Sequence, residues 1–275
     1  MLLNPWILTA AVSFILFILY CSRFEFRKQE SLSNQVHVAR HLTSFSNRSG
    51  PKLNPRNFFI DLGANNGKSV DYFLQGEQKK GNVAESGGHA GSKLNGLGSD
   101  GTWHIVAVEA NYRFTNQLHE RAAKFLGANL VKSFTVYNGT AIGDHDGTLS
   151  LWWDGRDQPH EGFSEMSGTE SHLNYNKSEQ VPLMDIVTLF RNHHIHARDQ
   201  VVMKLDIEGS EYAVIKRLLV AGLLPLVDIL AVEWHHGGYI QKDPKKGEEL
   251  TKQKECLTNW LLYDNLQPKL EEWGR

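Results

Sequence analysis

The chain has 275 residues with 29 Lys or Arg, 31 Asp or Glu and a formal net charge of −2. This length accommodates one α/β domain with a sizeable core and appended segments, and the balanced charge without a long basic run argues against a nucleic-acid-binding surface. Two cysteines in very different regions exclude a small fold held by several disulfides and a zinc site built from cysteines.

The N-terminal segment has the composition of a membrane anchor. Residues 6–21 carry no charge and are mainly Leu, Ile, Phe, Val and Ala, and with Leu2 and Leu3 the apolar stretch approaches the ~20 residues that cross a bilayer. A cleaved signal peptide would begin with basic residues and end at small ones, and this segment does neither. We therefore predict a short tail over 1–5, an uncleaved transmembrane signal anchor over 6–21 and a polar stem over 22–56.

Two signals disagree about the side of the membrane on which the rest of the chain lies. Basic residues follow the span and none precedes it, which favours the cytosol by the positive-inside rule: Arg23, Arg27 and Lys28. Three Asn-x-Ser/Thr triplets favour the lumen: Asn47, Asn138 and Asn176. Because short tails of anchored proteins are most often cytosolic, we predict a single-pass protein of the secretory pathway, in the Golgi, with a lumenal domain. The cytosolic orientation stays open.

The predicted domain spans 57–275. Its first predicted strand ends in a glycine turn. The apolar run 58–60 is followed by Asp61, then by Gly63 and Gly67, and then by a helix that begins at Lys68. The glycines permit a tight turn and a close approach of the backbone to a ligand. This spacing differs from that of pyrophosphate-binding turns, and a carboxylate at the strand end suits a cationic or hydroxyl-rich ligand such as S-adenosylmethionine. A plain tight turn is the alternative.

A glycine-rich insertion separates this turn from the second predicted strand. Residues 76–101 contain eight glycines among polar residues, a composition that predicts a flexible insertion. It follows the first helix, so we expect it away from the carboxyl ends of the strands. The second strand, 104–108, ends at Glu109, where a carboxylate accepts hydrogen bonds from ribose hydroxyls in nucleotide-binding folds.

The middle of the chain continues the alternation of helix and strand. Residues 114–126 have the periodicity of a helix, and 147–153 alternate like a strand or hairpin arm. The polar segment 154–179 is predicted to be a long substrate-binding loop. Before this loop, Trp152 and Trp153 could stack on a sugar, although core packing of at least one of them is the stronger prediction.

Two further apolar strands end in clustered polar side chains. Asp206 and Glu208 follow the run 201–205, and Glu233 and His235 follow the run 229–232. Because ligands bind at the carboxyl ends of parallel strands, these groups are expected to share a cleft with Asp61 and Glu109. The tract His193-His194-x-His196 precedes a strand at the opposite end, so we predict a solvated loop there and no metal site.

Taken together, these motifs resemble the FkbM-type methyltransferases. The segments that carry the resemblance occur in the family's order: Asp61-Leu62-Gly63-Ala64-Asn65-Asn66-Gly67, Val108-Glu109-Ala110-Asn111, Thr140-Ala141-Ile142-Gly143-Asp144, Gly147-Thr148-Leu149, and Lys204-Leu205-Asp206-Ile207-Glu208-Gly209-Ser210-Glu211. The resemblance extends from Asn57 to Gly238. It departs from the family in the long insertion and in the Glu-Trp-His-His ending.

The resemblance implies a fold, a cofactor and a set of contacts. It implies an α/β fold with a Rossmann-like class I methyltransferase sheet and helices on both faces, here preceded by the membrane-anchor helix. It also implies S-adenosyl-L-methionine as methyl donor. The implied cofactor contacts are Asp61, Gly63, Ala64, Asn65, Gly67, Glu109, Ala110, Ala141, Ile142 and Asp206.

The reaction calls for catalytic groups, which we predict at the ends of the apolar runs 201–205 and 229–232. Methyl transfer to a hydroxyl benefits from a general base, and His235 is the first choice because it follows a strand beside Glu233. A structural histidine is the competing interpretation. Asp206 and Glu208 could orient the acceptor or, with Glu233, hold a divalent cation such as Mg²⁺ or Mn²⁺. Cofactor contact without a metal stays open.

The acceptor is predicted by analogy alone. An anchored domain with a stem is the layout of glycan-modifying enzymes, so we expect a small-molecule or glycan hydroxyl and no nucleic-acid partner. The first alternative is a catalytically inactive methyltransferase fold that serves as an interaction or adhesion protein of the secretory pathway. A nucleotide-dependent oxidoreductase is weaker, because the third glycine of its motif is missing.

Overall fold

The structure is a computed structural model that describes residues 54–76, 94–153, 177–235, 243–263 and 269–272. The predicted tail, the anchor over 6–21, nearly all of the stem and most of the predicted acceptor loop lie outside these ranges. Within the described ranges, no helix combines the length and apolar character needed to cross a membrane.

The described residues form nine strands, five α-helices and two 3-10 turns. The strands are β1 (Asn57–Leu62), β2 (Trp103–Glu109), β3 (Ser133–Asn138), β4 (Ala141–Gly143), β5 (Gly147–Trp153), β6 (Lys177–Asp185), β7 (Gln200–Leu205), β8 (Ile229–Val232) and β9 (Lys269–Glu272). The helices are α1 (Lys68–Gln75), α2 (Thr115–Gly127), α3 (Ile186–Asn192), α4 (Glu211–Val220) and α5 (Pro244–Tyr263), and the 3-10 turns are Tyr112–Phe114 and Leu224–Leu226.

Six of the strands form one parallel sheet, and the order in which successive strands are added reverses at its centre. The order is β3-β2-β1-β7-β8-β9, and every pair of neighbours is parallel. The chain builds outward from β1 to β3 and then returns to the other side of β1 as β7. Such a switch point opens a crevice at the carboxyl ends of the two central strands. This arrangement confirms the predicted α/β fold with a mostly parallel, Rossmann-like sheet.

Alternation along the central strands explains why helices cover both faces. In β1, Phe58, Ile60 and Leu62 belong to a core cluster that includes residues of α3, α4 and α5. Phe59 points to the opposite face and packs with residues of α1 and α2. Because side chains in a strand alternate between faces, a run that is apolar throughout must be buried on both sides.

The second sheet has three strands in the order β4-β6-β5. β4 runs parallel to β6 and β5 runs antiparallel to it. The sequence analysis predicts 147–153 as a strand but extends the following loop to residue 179, whereas β6 already begins at Lys177. Trp153 is buried in the core of this sheet, and the guanidinium of Arg113 lies 3.9 Å from its ring centroid. Core packing of this tryptophan is therefore confirmed.

The end of the glycine-rich insertion packs against the domain. Its end, from Leu94 to Gly101, is described and packs against α1: Leu94 is 1% exposed, and the Gly98 amide donates to the carbonyl oxygen of Phe73 at 2.8 Å. The prediction of a flexible insertion over all of 76–101 is therefore wrong for this end, because a leucine in the core offsets the entropy of ordering it. Residues 77–93 lie outside the described ranges.

Candidate active site

The turn after β1 is held by the protein itself. Asp61 is fully buried at the end of β1 and accepts a short hydrogen bond from the Ser69 hydroxyl of α1. The amide groups of Gly63 and Ala64 both donate to the carbonyl oxygen of Val108 at 3.0 Å. This turn therefore joins the carboxyl ends of β1 and β2 into one rigid edge.

Both glycines of the turn are required by internal contacts. Gly63 has a φ of +78°, and a Cβ there would lie 1.7 Å from the carbonyl oxygen of Asp206. Gly67 has a φ of +82°, and a Cβ there would lie 2.8 Å from Cδ of Arg121. A side chain at either position would be strained in its backbone. At Gly63 it would also clash with a backbone oxygen, whereas at Gly67 it would meet the flexible side chain of Arg121. The glycines therefore let neighbouring parts of the protein approach each other closely. The sequence analysis instead explains them by the close approach of a ligand.

Glu109 lies at the end of β2, beside the glycine turn. Its two carboxylate oxygens accept hydrogen bonds of 2.7 Å from the backbone amides of Asn65 and Asn111. Burial raises the pKa of Glu109 to about 7, although these two amide hydrogen bonds lower it. Each carboxylate oxygen has a second lone pair, so the group can accept two more hydrogen bonds from a diol.

A buried lysine joins the ends of β1 and β7 at the switch point. Nζ of Lys204 donates to the carbonyl oxygen of Gly63 at 2.8 Å and lies 3.3 Å from Asp61 and 3.0 Å from Asp206. Burial alone would lower the pKa of Lys204, but the carboxylates of Asp206 and Asp61 raise it well above its usual value. The lysine therefore stays charged, and it fixes the position of Asp206 at the cleft.

The segment between β7 and α4 is organised around a second buried charge. The carboxylate of Glu211 is fully buried and accepts hydrogen bonds from the backbone amides of Ile207 and Gly209. Glu208, between them, has a φ of +55°, a conformation that costs energy for a residue with a Cβ. Glu211 therefore holds the strained turn that presents Glu208.

His235 enters this site from the end of β8. Its Nδ1 lies 2.8 Å from Oε1 of Glu211, and its Nε2 lies 3.6 Å from Glu208 and 3.9 Å from Asp206. The predicted convergence of these strand ends is thus present. Burial alone would lower the pKa of His235, but the hydrogen bond and charge of Glu211, with the charges of Glu208 and Asp206, raise it to about 10.

The raised pKa bears on the predicted role of His235. The sequence analysis assigns it as a general base, which requires a neutral imidazole near neutral pH. The three carboxylates around the ring favour its protonated form and so argue against this role, and the identity of the base remains a prediction. The main physical cause of the raised pKa is the buried Glu211, which lies 24 residues away in sequence and is not predicted to face the ring.

Asp206, Glu208 and His235 also form a group that could hold a metal ion. Within the described residues, the ligand atoms of Asp206, Glu208 and His235 lie within 4.8 Å of one another. Glu233, which the sequence analysis groups with the two acids, is not part of this set, and His235 takes its place. The backbone amide of Glu233 donates to the carbonyl oxygen of Leu205, and a catalytic role for its side chain remains a prediction.

The remaining predicted cofactor contacts lie in or beside the core: Ala64, Ala110, Ala141 and Ile142. The amide of Thr140 donates to the carbonyl oxygen of Glu109 at 3.1 Å, which places the start of β4 next to the end of β2. The start of β4 therefore lies beside the edge that carries Glu109, and contact of the four residues with a cofactor remains a prediction.

The histidine tract lies apart from this cleft, as predicted. It precedes β7 at the amino end of the sheet, where the side chain of Arg56 donates to the carbonyl oxygens of His193 and His194. Asp199 accepts from Arg56 and from the backbone amide of His196. The tract therefore belongs to a loop whose backbone is hydrogen-bonded to the side chains of Arg56 and Asp199.

Two functional groups escape the sequence analysis, Lys204 and Glu211. Both stand in the quoted family motif without an assigned role. A lysine inside a run of apolar strand residues is a signal in its own right, because a buried ammonium needs carboxylate partners. Glu211 gives no comparable signal, since a glutamate in the first turn of a helix is common on exposed surfaces.

Comparison with known proteins identifies the domain that contains this site. A family model described as the methyltransferase FkbM domain matches residues 61–257, which is well over half of the 275-residue chain. The match begins at Asp61 and includes the glycine turn, Glu109, Lys204 and the cluster around His235. It confirms the resemblance drawn from the sequence motifs. No curated protein and no solved structure matches the chain.

Proposed function

The chain belongs to the methyltransferase FkbM domain family, and from this premise we propose that it is an S-adenosylmethionine-dependent O-methyltransferase. The observation that carries the proposal is the buried Glu109 carboxylate beside the glycine turn, at the edge of the switch-point crevice. Within the described residues its oxygens contact two backbone amides and no cation. A carboxylate in that setting is suited to the two hydroxyls of a ribose.

The cleft supplies groups for the rest of the cofactor as well. Asp206 and Glu208 follow β7 and are partly exposed, so they are placed to face the ammonium and sulfonium groups of S-adenosylmethionine. Asp61, at the end of β1, is fully buried, and that burial raises its pKa. Lys204 neutralises part of the negative charge of the cleft and holds Asp61 and Asp206 in place. The donor set therefore fits a cationic, hydroxyl-rich ligand.

When bound, S-adenosylmethionine supplies the methyl group: an acceptor oxygen bonds to the methyl carbon, the sulfur–carbon bond breaks, and S-adenosylhomocysteine is left. The chain's part is to hold the acceptor in line and to take up the hydroxyl proton. Because the surrounding carboxylates raise the pKa of His235, we assign Asp206 and Glu208 as the groups that receive that proton.

The acceptor and the compartment remain part of the proposal. A sugar or glycan hydroxyl in the Golgi lumen is supported by the apolar segment 6–21 and the Asn-x-Ser/Thr triplets. Of these, Asn138 is exposed at the end of β3. If the domain is lumenal, expression in a glycosylating secretory host should give a mass shift that a glycosidase removes. Its absence, with protease cleavage from the cytosolic side, would reverse the orientation.

Binding of S-adenosylmethionine, measured by isothermal titration calorimetry, tests the proposal. The parent chain should bind, and Glu109→Ala should bind at least tenfold more weakly while remaining folded. Glu120→Ala, which removes an exposed carboxylate on α2, should bind like the parent. A folded parent that does not bind would leave the inactive interaction protein as the better assignment.

Transfer itself is tested with S-adenosylmethionine that carries a labelled methyl group. Label should appear on hydroxyl compounds, with sugars and glycans tried first, and Asp206→Asn should lower the rate more than it lowers cofactor affinity. Cofactor binding without transfer to any hydroxyl class would contradict the O-methyltransferase assignment.

A further inference from the structure

The cluster at the end of β7 and β8 combines two carboxylates and one imidazole around a common point. Nε2 of His235 lies 3.6 Å from Oε2 of Glu208 and 3.9 Å from Oδ1 of Asp206. Metal–ligand bonds of ~2.1 Å place neighbouring donor atoms roughly 3 to 3.4 Å apart. These two separations are therefore about 0.5 Å wider than those of a closed metal site and too long for direct hydrogen bonds, and the ligand atoms of the two acids lie within 4.8 Å of each other.

The imidazole is held in the way that metal-binding histidines are held. Its Nδ1 pairs at 2.8 Å with Glu211, a carboxylate that is fully buried and anchored by two backbone amides. A carboxylate on the far nitrogen orients the ring and makes the near nitrogen a better ligand. Nε2 is thereby aimed at the two acids.

Charge around this point favours a cation. Four carboxyl groups, those of Asp61, Asp206, Glu208 and Glu211, lie around this point together with the ammonium group of Lys204. The carboxyl groups outnumber the ammonium group, and a divalent cation held by Nε2 and the two acids offsets that difference. Glu208 is held in the left-handed region at φ +55°, which is the backbone cost of turning its carboxylate into this cluster.

We propose that Asp206, Glu208 and His235 bind a divalent transition-metal cation, with Glu211 as the carboxylate that positions His235. One imidazole and two carboxylates suit Mn²⁺ or Zn²⁺ better than Mg²⁺, which prefers oxygen ligands alone. If the proposed methyl transfer is correct, the ion lies where the acceptor hydroxyl must approach. Metal coordination makes a hydroxyl more acidic, which would compensate for the weak basicity of a carboxylate.

Mn²⁺ alone, without cofactor, is the probe that tests the site. The electron paramagnetic resonance signal of free Mn²⁺ should be lost as it binds, with saturation at one ion per chain. His235→Ala and Glu208→Gln should each weaken binding at least tenfold. The matched control is His145→Ala, which removes an exposed histidine that is likewise paired with an acid, and it should bind like the parent.

A second spectroscopic readout identifies the ligand directly. Bound Mn²⁺ should show coupling to an imidazole nitrogen in electron spin echo measurements, and this coupling should vanish in His235→Ala. Glu208→Gln changes a partly exposed side chain, so its circular dichroism and thermal midpoint should match those of the parent. Non-saturable binding, absent nitrogen coupling, or equal affinity in all variants would each overturn the proposal.

S-adenosylmethionine is also a cation that could contact these carboxylates, and the order of the binding measurements separates its binding from that of the metal ion. Mn²⁺ binding is measured before S-adenosylmethionine is added, so a metal site without cofactor binding would refute only the methyltransferase proposal. Cofactor binding without saturable Mn²⁺ binding would refute only the metal site.

Discussion

Changing the pH should change the affinity for S-adenosylmethionine through one buried carboxyl group, that of Glu109. Burial raises its pKa from 4.5 to about 7, so the group is mostly protonated at pH 6 and mostly ionised at pH 8. Ribose hydroxyls donate hydrogen bonds to the ionised form more strongly than to the protonated form. Binding should therefore favour the ionised carboxylate and lower its pKa.

The magnitude follows from that pKa. If only the ionised form binds, affinity falls about tenfold for each pH unit below 7, which gives up to about a hundredfold between pH 7.5 and pH 5. Near pH 6, binding should release the proton of Glu109 to the buffer. Titration calorimetry in buffers of different ionisation enthalpy should detect this release. Glu109→Gln has no such proton and should bind weakly at every pH.

The same pKa makes a prediction about stability without ligand. A carboxyl group whose pKa is raised by folding favours the folded state at low pH, and this advantage is lost as the pH rises from 4.5 to about 7. At ~1.4 kcal/mol per pKa unit, the loss is about 3 kcal/mol. Urea unfolding should therefore show Glu109→Gln gaining stability relative to the parent over this range.

A parent whose cofactor affinity is flat from pH 5 to 7.5, or a Gln variant whose affinity has the same dependence on pH, would refute the role of Glu109.

Three further predictions concern the scaffold. Gly63→Ala should lower the thermal midpoint by about 10 °C or prevent folding, because its Cβ would meet a backbone oxygen at 1.7 Å. Gly127→Ala, with no atom within 4 Å of the new Cβ, is the scanning-fluorimetry control. Lys204→Met should cost ~3–5 kcal/mol in urea unfolding, because it leaves buried carboxylates unpaired. Replacing 77–93 with a short Gly/Ser linker should shift the midpoint by only a few degrees, whereas replacing 77–99 removes a buried leucine and should lower it clearly.

Local patterns were sufficient for the centre of the sheet. The strands β1, β2, β7 and β8 are mainly apolar and are followed by a polar group or a turn, and such runs predict buried parallel strands. The glycine turn and the carboxylate after β2 could be located for the same reason, since their spacing is set within a few residues. Leu94 could not be assigned to the core, because one leucine among glycines has no periodicity.

The sequence by itself determined the central strands, the edge of the sheet where the polar groups gather, and the family, but it did not predict β6, α3, α5 or β9. The predicted features depend on short-range regularities: apolar runs, glycine spacing and acids at strand ends. Only the tertiary structure decided what the gathered groups can do. The pKa of His235 depends on Glu211, and the charge of Lys204 depends on Asp61, residues that are far apart in the chain. Burial and distance in three dimensions set the protonation state of a side chain, and neither is written in local sequence.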